Sequence, residues 1–319
     1  MACTGGYMSL SKRLLLWLAV LSLSATSATF FVVLPHINHN DRAQLDALIS
    51  GSAHRPFQYR ILVPGLAALL GTIIPEPTGL IQSALNSILT QFGGASGPSI
   101  GILLIQVISM LITVIYTARL GQALGLGRHA ITTAASLPVI VLIFFTIILR
   151  YVYIYDLPQM ALFTVALYAI LKERRAVYLA LLAAATINKE TALILIIVSA
   201  WWLLRLDPTF QKWLFVACQI AVYGLLRIVL ILAFKDNPGG LVEWHIWEHF
   251  QYDGLYYHNI LIIISAALIL RHWQSKPLFL RGTLLIGLTV LLPLFLVWGY
   301  PTEIRVFMEI VPVWLLLMH

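Results

Sequence analysis

Carboxylates and arginines stand close together in the first long polar segment of the chain. Asp41 and Asp46 supply the carboxylates, and Arg55 and Arg60 follow them. A carboxylate can act as a general base, and the guanidinium of arginine suits an anionic partner such as phosphate. One interpretation is therefore a catalytic base beside an anion site. The other is a solvated loop in which Asp41 caps the start of a short helix.

Three more polar clusters interrupt long apolar stretches. A charge at the centre of a spanning helix costs roughly 2.5–3.5 kcal/mol on insertion scales, so an ionisable group at such depth needs a partner or a use. Plainer interpretations exist, since tyrosines near Asp156 are typical of an aromatic belt, and Lys189 and Glu190 can neutralise each other. The residues that we expect to line one cavity or to bind an anion there are Tyr59, Arg150, Asp156, Asn188, Lys189, Glu190, Glu303 and Arg305.

A histidine pair adds a motif that resembles a metal site. His245-Ile-Trp-Glu248-His249 matches the H-x-x-E-H zinc pattern, and the two histidines would share one face of a helix. A zinc protease also needs a third ligand and a packed helical domain, whereas this loop is short and rich in Trp and Tyr. We expect an interfacial amphipathic helix here, with both histidines lining the cavity. No metal site is predicted, and a divalent metal, although left open, has no support in the sequence.

The composition indicates which elements must position these residues. Of the 319 residues, 60% are hydrophobic and only 10% are charged, whereas about 25% of residues are charged in an average soluble chain. This excludes a soluble enzyme, a disordered protein and a nucleic-acid binder, although the formal net charge is +7. A modest basic excess is expected beside the spans of a membrane protein. We therefore predict an all-α, multi-pass membrane protein with one domain, residues 1–319.

Apolar runs of about 20 residues, or fewer where the protein thins the bilayer, predict the spans. The predicted fold is a bundle of about ten transmembrane helices of uneven length, at residues 14–35, 99–118, 130–149, 157–171, 176–187, 191–204, 213–234, 258–270, 282–298 and 306–318. We interpret the first run as an uncleaved span. Residues 60–74 are expected to form a re-entrant or interfacial helix, and a hairpin with residues 78–92 would keep the same topology. Residues 176–204 favour a shallow hairpin with a polar tip.

Basic residues in the short loops indicate the orientation, because Lys and Arg are retained on the cytoplasmic side. With the N-terminus inside, residues 36–98 form a first large outer loop with membrane-surface helices, and residues 235–257 form a second. The inner loops then hold Arg119, Arg128, Lys172, Arg174, Arg175, Arg205, Lys212, Arg271, Lys276 and Arg281. The polar clusters described above consequently lie on the outer side.

This organisation resembles the GT-C superfamily of multi-span glycosyltransferases, which take a sugar from a polyprenyl-phosphate donor on the non-cytoplasmic face. The specific part of the resemblance is Asn40-Asp41-Arg42 and Phe57-Gln-Tyr59-Arg60-Ile-Leu-Val-Pro64 in the first outer loop. It implies that Asp41, or Asp46 as the alternate, is the base that activates an acceptor in an inverting reaction. The donor-phosphate ligands that it implies are Arg60, Lys189 and Arg305, to which we add Arg55 from the first polar segment.

The resemblance also defines the expected partners and location. We expect a lipid-linked sugar as donor substrate, membrane lipids around the protein, an acceptor that the sequence does not identify, and no nucleic acid. The expected location is the inner membrane of a bacterial cell, with the active face outside. The absence of a Gly-rich phosphate loop disfavours a nucleotide-sugar donor. The alternatives are a multi-span transporter, a non-catalytic subunit of a membrane complex, and an outer-face polysaccharide polymerase with a lipid-diphosphate donor.

Overall fold

The computed structural model is helical throughout the part of the chain that it describes. It describes residues 41–89, 94–143, 153–205, 208–240, 244–250, 257–300 and 303–318. Within these ranges the regular structure consists of helices and contains no strand, which confirms the predicted all-α class. The predicted span at residues 14–35 and the candidate residue Arg150 lie outside the described residues.

The apolar runs predicted between residues 99 and 318 each contain a helix. In the described ranges the α-helices are α1 (Leu45–Ser50), α2 (Leu62–Gly71), α3 (Gly79–Leu89), α4 (Gly97–Ala123), α5 (Gly127–Ile143), α6 (Asp156–Leu171), α7 (Arg175–Asn188), α8 (Leu193–Leu204), α9 (Phe210–Ala233), α10 (Ile246–Phe250), α11 (Tyr257–Leu270), α12 (Leu278–Trp298) and α13 (Val311–Leu317). Short 3-10 turns occur at Asp41–Ala43, Phe57–Tyr59, Glu190–Ala192, Trp273–Ser275 and Ile304–Ile310.

Three of the described helices, α4, α9 and α12, are long and apolar enough to cross a membrane. They have 27, 24 and 21 residues, which at 1.5 Å per residue match or exceed the roughly 30 Å hydrocarbon core of a bilayer. This supports a membrane protein. The apolar helices α2, α6 and α7 have 10, 16 and 14 residues and are shorter than that core. The count of about ten crossings and the re-entrant placement of α2 therefore stay predictions.

Close glycine contacts hold α2 against α4. A methyl group on Gly97 would lie 2.8 Å from Gly71 O and 2.9 Å from Gly71 Cα, so the two backbones can approach this closely only without side chains. Ser96 caps the start of α4, since its hydroxyl accepts a 3.4 Å hydrogen bond from Ser99 N. Because α2 packs along α4, Arg60, two residues before α2, is held against the bundle.

Helices α7 and α8 form a hairpin and not one long helix. Lys189, which follows α7, has the extended backbone angles φ −161° and ψ 141°. Tyr178 Oη donates a 2.7 Å hydrogen bond to Leu195 O, although in a continuous helix these two residues would lie about 25 Å apart. The chain therefore reverses at Lys189, which places a polar tip at one end of the bundle.

From α6 to α9, helices that follow one another in the chain alternate in direction, so the loops gather at two ends. Helix α6 packs against α7, α7 against α9, and α8 against both α9 and α12. One end holds the start of α6, the tip between α7 and α8, and the C-termini of α9 and α12. The other end, which we call the basic end, holds the described loop residues 124–126, 172–174, 205, 208–209 and 271–277. There Lys276 Nζ donates to Leu268 O at 3.2 Å and to Leu317 O.

Candidate functional site

A buried cluster of ionisable side chains lies at the end of the bundle opposite the basic end. Its members come from the chain before α2, the start of α6, the tip between α7 and α8, and the turn before α13. We refer to it as the ion cluster: Arg60, Asp156, Lys189, Glu190, Glu303, Arg305 and Glu309. It joins segments that are far apart in the chain.

Arg60 binds Glu190 through two hydrogen bonds. Arg60 Nη2 lies 2.6 Å from Glu190 Oε1, and Nε lies 3.2 Å from Oε2, which is the forked pairing that arginine makes with carboxylate or phosphate. Tyr155 Oη accepts a third hydrogen bond, from Arg60 Nη1. The Arg60 side chain is 8% exposed, whereas that of Glu190 is 37% exposed. Glu190 is therefore the member of the pair that a ligand can reach.

Lys189 is enclosed between two fully buried carboxylates. Its Nζ lies 3.0 Å from Glu309 Oε1 and 3.4 Å from Asp156 Oδ1. Thr191 Oγ1 donates to the same Glu309 oxygen, while Glu309 Oε2 is buried without a hydrogen-bond partner in the described part of the chain. Removing one partner of such a buried pair leaves an uncompensated charge, which is strongly destabilising. Lys189 therefore holds the hairpin tip to two other elements.

Arg305 completes the ion cluster. Its Nη2 lies 2.7 Å from Glu303 Oε1, and its Nη1 lies 3.5 Å from Asp156 Oδ2. Burial raises the pKa of the Glu303 carboxyl, but the charge and the hydrogen bond of Arg305 outweigh burial, so this pKa lies below its ordinary value. Glu303 is therefore ionised at neutral pH, and 19% of its side chain is exposed.

Aromatic rings support the two arginines. Arg305 Cζ lies 4.0 Å from the ring centroid of Tyr153, and Arg60 Cζ lies 4.4 Å from that of Tyr155. The two tyrosine rings are stacked, with centroids 5.3 Å apart, and Phe57 stacks on Tyr153 at 5.4 Å. A guanidinium group is attracted to an aromatic face. The stacked rings therefore hold both guanidinium groups against one aromatic wall.

Polar side chains fasten the hairpin tip to the start of α6. Asn188 Nδ2 donates to Tyr155 O at 3.0 Å and to Gln159 Oε1 at 2.9 Å. Asp156 Oδ2 accepts a 3.1 Å hydrogen bond from Tyr153 N, and a carboxylate in the first turn of a helix is favoured by the helix dipole. These contacts bring Asp156 and the tip together before any ligand is considered.

The structure brings six of the fourteen predicted site residues into the ion cluster. The members of the ion cluster that the sequence predicted are Arg60, Asp156, Lys189, Glu190, Glu303 and Arg305. Asn188 lies beside them and anchors the tip. Tyr59 is also buried, but its ring faces Arg227, with 5.4 Å from Cζ to the ring centroid.

Other predicted residues lie apart from the ion cluster. Asp46 is exposed on α1, and among the described residues no hydrogen bond or ion pair joins it to the ion cluster. Arg55 is half-buried, and its Nε has no hydrogen-bond partner within the described ranges. The backbone of Asp41 begins a 3-10 turn, but its side chain lies outside the described part, as does Arg150.

Glu309 is a site residue that the sequence analysis missed. It is hidden in the apolar run 306–318, which predicts a span. A signal was present, because a single carboxylate inside an apolar run needs a partner at depth. Tyr153 and Tyr155 differ from expectation as well, since both are buried against the arginines and not exposed as in an aromatic belt.

The histidine motif packs against the end of α12. His249 Nε2 lies 3.1 Å from Phe295 O and 2.9 Å from Gly299 O, the carbonyls that end this helix. His245 Nδ1 lies 3.1 Å from Glu248 Oε1, and this hydrogen bond holds the pKa of the Glu248 carboxyl below its ordinary value. Within the residues that the structure describes, no group of three His, Cys, Asp or Glu could hold a metal ion. Both histidines have structural partners.

The ion cluster has a defined chemical capacity. Three cations face four carboxylates, of which two are fully buried and two are partly exposed. Such a site can exchange an exposed carboxylate for another anion. Comparison of the chain with known proteins finds no matching family model, curated protein or solved structure.

Proposed function

We propose that this chain is an integral membrane glycosyltransferase that moves a sugar from a polyprenyl-phosphate donor to an acceptor on the non-cytoplasmic face. The observation that carries the proposal is the convergence of Arg60, Lys189 and Arg305, from three distant segments, at one end of the bundle. Transfer from a lipid phosphate needs a base and needs cations for the phosphate that leaves. The candidate residues supply both.

The distribution of basic residues supports a non-cytoplasmic site. The loops at the basic end contain Arg128, Lys172, Arg174, Arg175, Arg205, Arg271 and Lys276, or lie directly beside them. Since Lys and Arg in short loops are retained on the cytoplasmic side, the basic end is the cytoplasmic end in this proposal. The ion cluster then lies near the outer surface of the membrane.

To bind at the ion cluster, a phosphate group would take the place of the carboxylates that now contact the arginines. Glu190 and Glu303 are partly exposed and can turn outwards, whereas Asp156 and Glu309 are fully buried and cannot. Three cations and two carboxylates would then remain, a formal charge of +1 from 3 − 2. A phosphodiester carries one negative charge and would neutralise this site. The guanidinium forks of the arginines fit phosphate oxygens as well as carboxylate oxygens.

The proposed reaction is a displacement at the anomeric carbon of the sugar. Asp41 or Asp46 takes the proton from an acceptor hydroxyl, whose oxygen forms the new bond to that carbon. The bond between the anomeric carbon and the phosphate oxygen breaks, and its electron pair stays on the phosphate. Arg60 and Arg305 stabilise this added charge. Attack from the side opposite the phosphate inverts the anomeric configuration.

Helix α1, which carries Asp46, is fastened to the segment that delivers Arg60. Gln58 Nε2 donates to Leu48 O at 3.3 Å, and Gln58 Oε1 accepts from Ala53 N at 2.9 Å. Gln58 precedes Arg60 by two residues. The candidate base and a phosphate ligand therefore belong to one folded segment, and fixed relative positions of reacting groups favour catalysis.

A transporter is the second candidate function, and the surroundings of Lys189 favour it. A buried lysine between two buried carboxylates is an arrangement that ion-coupled transporters use to hold and release protons. Transport through this pairing needs no general base, so it would continue when Asp41 and Asp46 are replaced. Sugar transfer would stop.

The test of the proposed function uses the full-length protein in liposomes, with a panel of radiolabelled polyprenyl-phosphate sugars and a membrane extract as the acceptor source. We expect one donor to lose its sugar. The Asp41→Asn, Asp46→Asn double variant should lose about 100-fold in rate or more, as expected for a general base. Arg205→Gln, at the basic end, is the matched control and should keep the wild-type rate. Consumption of no donor, or full activity of the double variant, would refute the proposal.

A further inference from the structure

Arg227 is a cation in a spanning helix and lies outside the ion cluster. It stands on α9, six residues before Ala233 ends that helix, and therefore about 9 Å from the helix end. Gln219, Tyr223 and Arg227 are spaced by four residues, so they form a polar stripe on one face of an apolar helix. This stripe runs towards the end of the bundle that holds the ion cluster.

The first two residues of the stripe have polar partners. Gln219 Nε2 donates to Ser199 Oγ at 3.0 Å, and Tyr223 Oη donates to Glu190 O at 2.9 Å. Arg227 stacks on the Tyr59 ring, but its Nη1 is buried and has no hydrogen-bond partner among the described residues. A buried charged donor without an acceptor is costly. The guanidinium therefore needs an acceptor that the described part of the chain does not supply.

The surroundings of Arg227 on α9 are apolar and exposed. Ile231 and Ile220 stand one and two turns from Arg227 on its face of the helix, and Ile228 flanks it; these side chains are 37%, 57% and 55% exposed. Gly224, one turn before Arg227, leaves open space where a side chain would otherwise stand. A ligand that approaches Arg227 from this side must be apolar beside these residues and anionic at the guanidinium. A membrane lipid with an anionic headgroup has both properties.

We infer that Arg227 binds the phosphate group of a membrane lipid at the lipid-facing side of the ion cluster. The guanidinium fork suits two phosphate oxygens. Arg227 also interacts electrostatically with Glu190, the carboxylate that covers Arg60, so a lipid phosphate at Arg227 stands beside the entrance to the ion cluster. The lipid is either the donor, an assignment that rests on the proposed function, or an anionic phospholipid of the surrounding membrane.

The test is a titration of the full-length protein in phosphatidylcholine nanodiscs. The probes are geranylgeranyl monophosphate and, separately, phosphatidylglycerol, with uncharged geranylgeraniol as the reference, and native mass spectrometry counts bound lipid. Arg227→Gln should weaken binding of at least one phosphate lipid tenfold or more, and Arg227→Lys should weaken it about threefold. Arg205→Gln is the matched control, because Arg205 also stacks on aromatic rings, those of Trp201 and Trp202. Its binding should equal that of the wild type.

The outcomes separate the two sources of phosphate. A loss confined to geranylgeranyl monophosphate identifies a polyprenyl lipid, and a loss for both probes identifies lipid phosphate in general. Wild-type affinity of Arg227→Gln for both probes would overturn the inference. If Arg227→Gln does not fold, the same comparison is made with Arg227→Lys, and wild-type affinity would again overturn it. The titration contains no sugar and no acceptor, so it can succeed where the transfer assay fails.

Discussion

Glu190 covers Arg60 with both carboxylate oxygens, at 2.6 Å and 3.2 Å, although 37% of the Glu190 side chain is itself exposed. Arg305 and Glu303 repeat this relationship at 2.7 Å, with the arginine buried and the carboxylate partly exposed. In both pairs a fixed cation is held by an anion that can leave. The two pairs therefore have the geometry of an anion site that the protein fills with its own side chains.

Replacing Glu190 with Gln should tighten the binding of a lipid phosphate. The amide keeps a hydrogen-bond acceptor for Arg60 but removes the charge that competes with the ligand. Geranylgeranyl monophosphate should bind Glu190→Gln about tenfold more tightly than the wild type, or about 1.4 kcal/mol, in the nanodisc titration. Glu173→Gln, an exposed change at the basic end, should bind like the wild type. Equal or weaker binding to Glu190→Gln would contradict the proposal that the lipid phosphate displaces the Glu190 carboxylate from Arg60.

Replacing Lys189 with Met should strongly destabilise the protein. The change leaves Glu309 and Asp156 buried without their shared lysine, which should lower the free energy of unfolding by about 3–5 kcal/mol. Denaturant unfolding of the purified protein in detergent measures the loss. The additional change Glu309→Gln should restore part of it, because Glu309 loses its ion-pair partner whereas Asp156 keeps Arg305. Lys172→Met, an exposed control, should stay within about 0.5 kcal/mol of the wild type. Equal stability of Lys189→Met and Lys172→Met would contradict the role of Lys189.

The stabilisation that Glu303 provides should depend on pH. Burial raises its pKa, but Arg305 outweighs burial and keeps the pKa below the ordinary value of 4.5. A carboxyl whose pKa is lower in the folded state stabilises the protein above its unfolded pKa and loses this effect as the pH falls through the folded pKa. The unfolding temperatures of the wild type and of Glu303→Gln should therefore differ by a constant amount well above pH 4.5 and converge as the pH falls below 4.5 and through the folded pKa. An undiminished difference at the lowest pH would refute the ion pair.

The spacing of residues along the chain could predict where polar residues interrupt the apolar runs. It could not predict which side chains these polar residues contact. Lys189 and Glu190 are neighbours, and the plainer interpretation of the sequence has them neutralise each other. In the structure Lys189 contacts Glu309, whereas Glu190 contacts Arg60. The cause is the extended backbone at Lys189, since successive side chains of extended chain point in opposite directions. The geometry of this break arises from the packing of α7 and α8, which local sequence does not specify.

The helical class and the clusters could be predicted because apolar length and rare charges are local properties. The pairing of Arg60 with Glu190 joins positions 130 residues apart. A single sequence does not indicate which distant residues come into contact. Helix length does not fix the number of crossings either. Helices of 14 and 16 residues, such as α7 and α6, are short of the roughly 20 residues that mark a span by length alone.

Cysteine labelling should show which end of the bundle faces outwards. After both native cysteines, Cys3 and Cys218, are replaced by serine, single cysteines are introduced at exposed positions of the two ends. In intact cells a membrane-impermeant maleimide should label cysteines at the end of the ion cluster and should label those at the basic end only after permeabilisation. The positions are Ser52 and Asp236 at the first end, and Lys172 and Gln274 at the second. The reverse pattern would contradict the proposed orientation.

The most direct measurement is the initial rate at which the full-length protein in liposomes consumes its polyprenyl-phosphate sugar when Arg60 or Arg305 is changed to Gln. If these guanidinium groups stabilise the leaving phosphate, each variant should lose about 100-fold or more in rate, while Arg205→Gln keeps the wild-type rate. Folded Arg60→Gln and Arg305→Gln proteins that consume the donor as fast as the wild type would contradict the assignment of the ion cluster as the phosphate site.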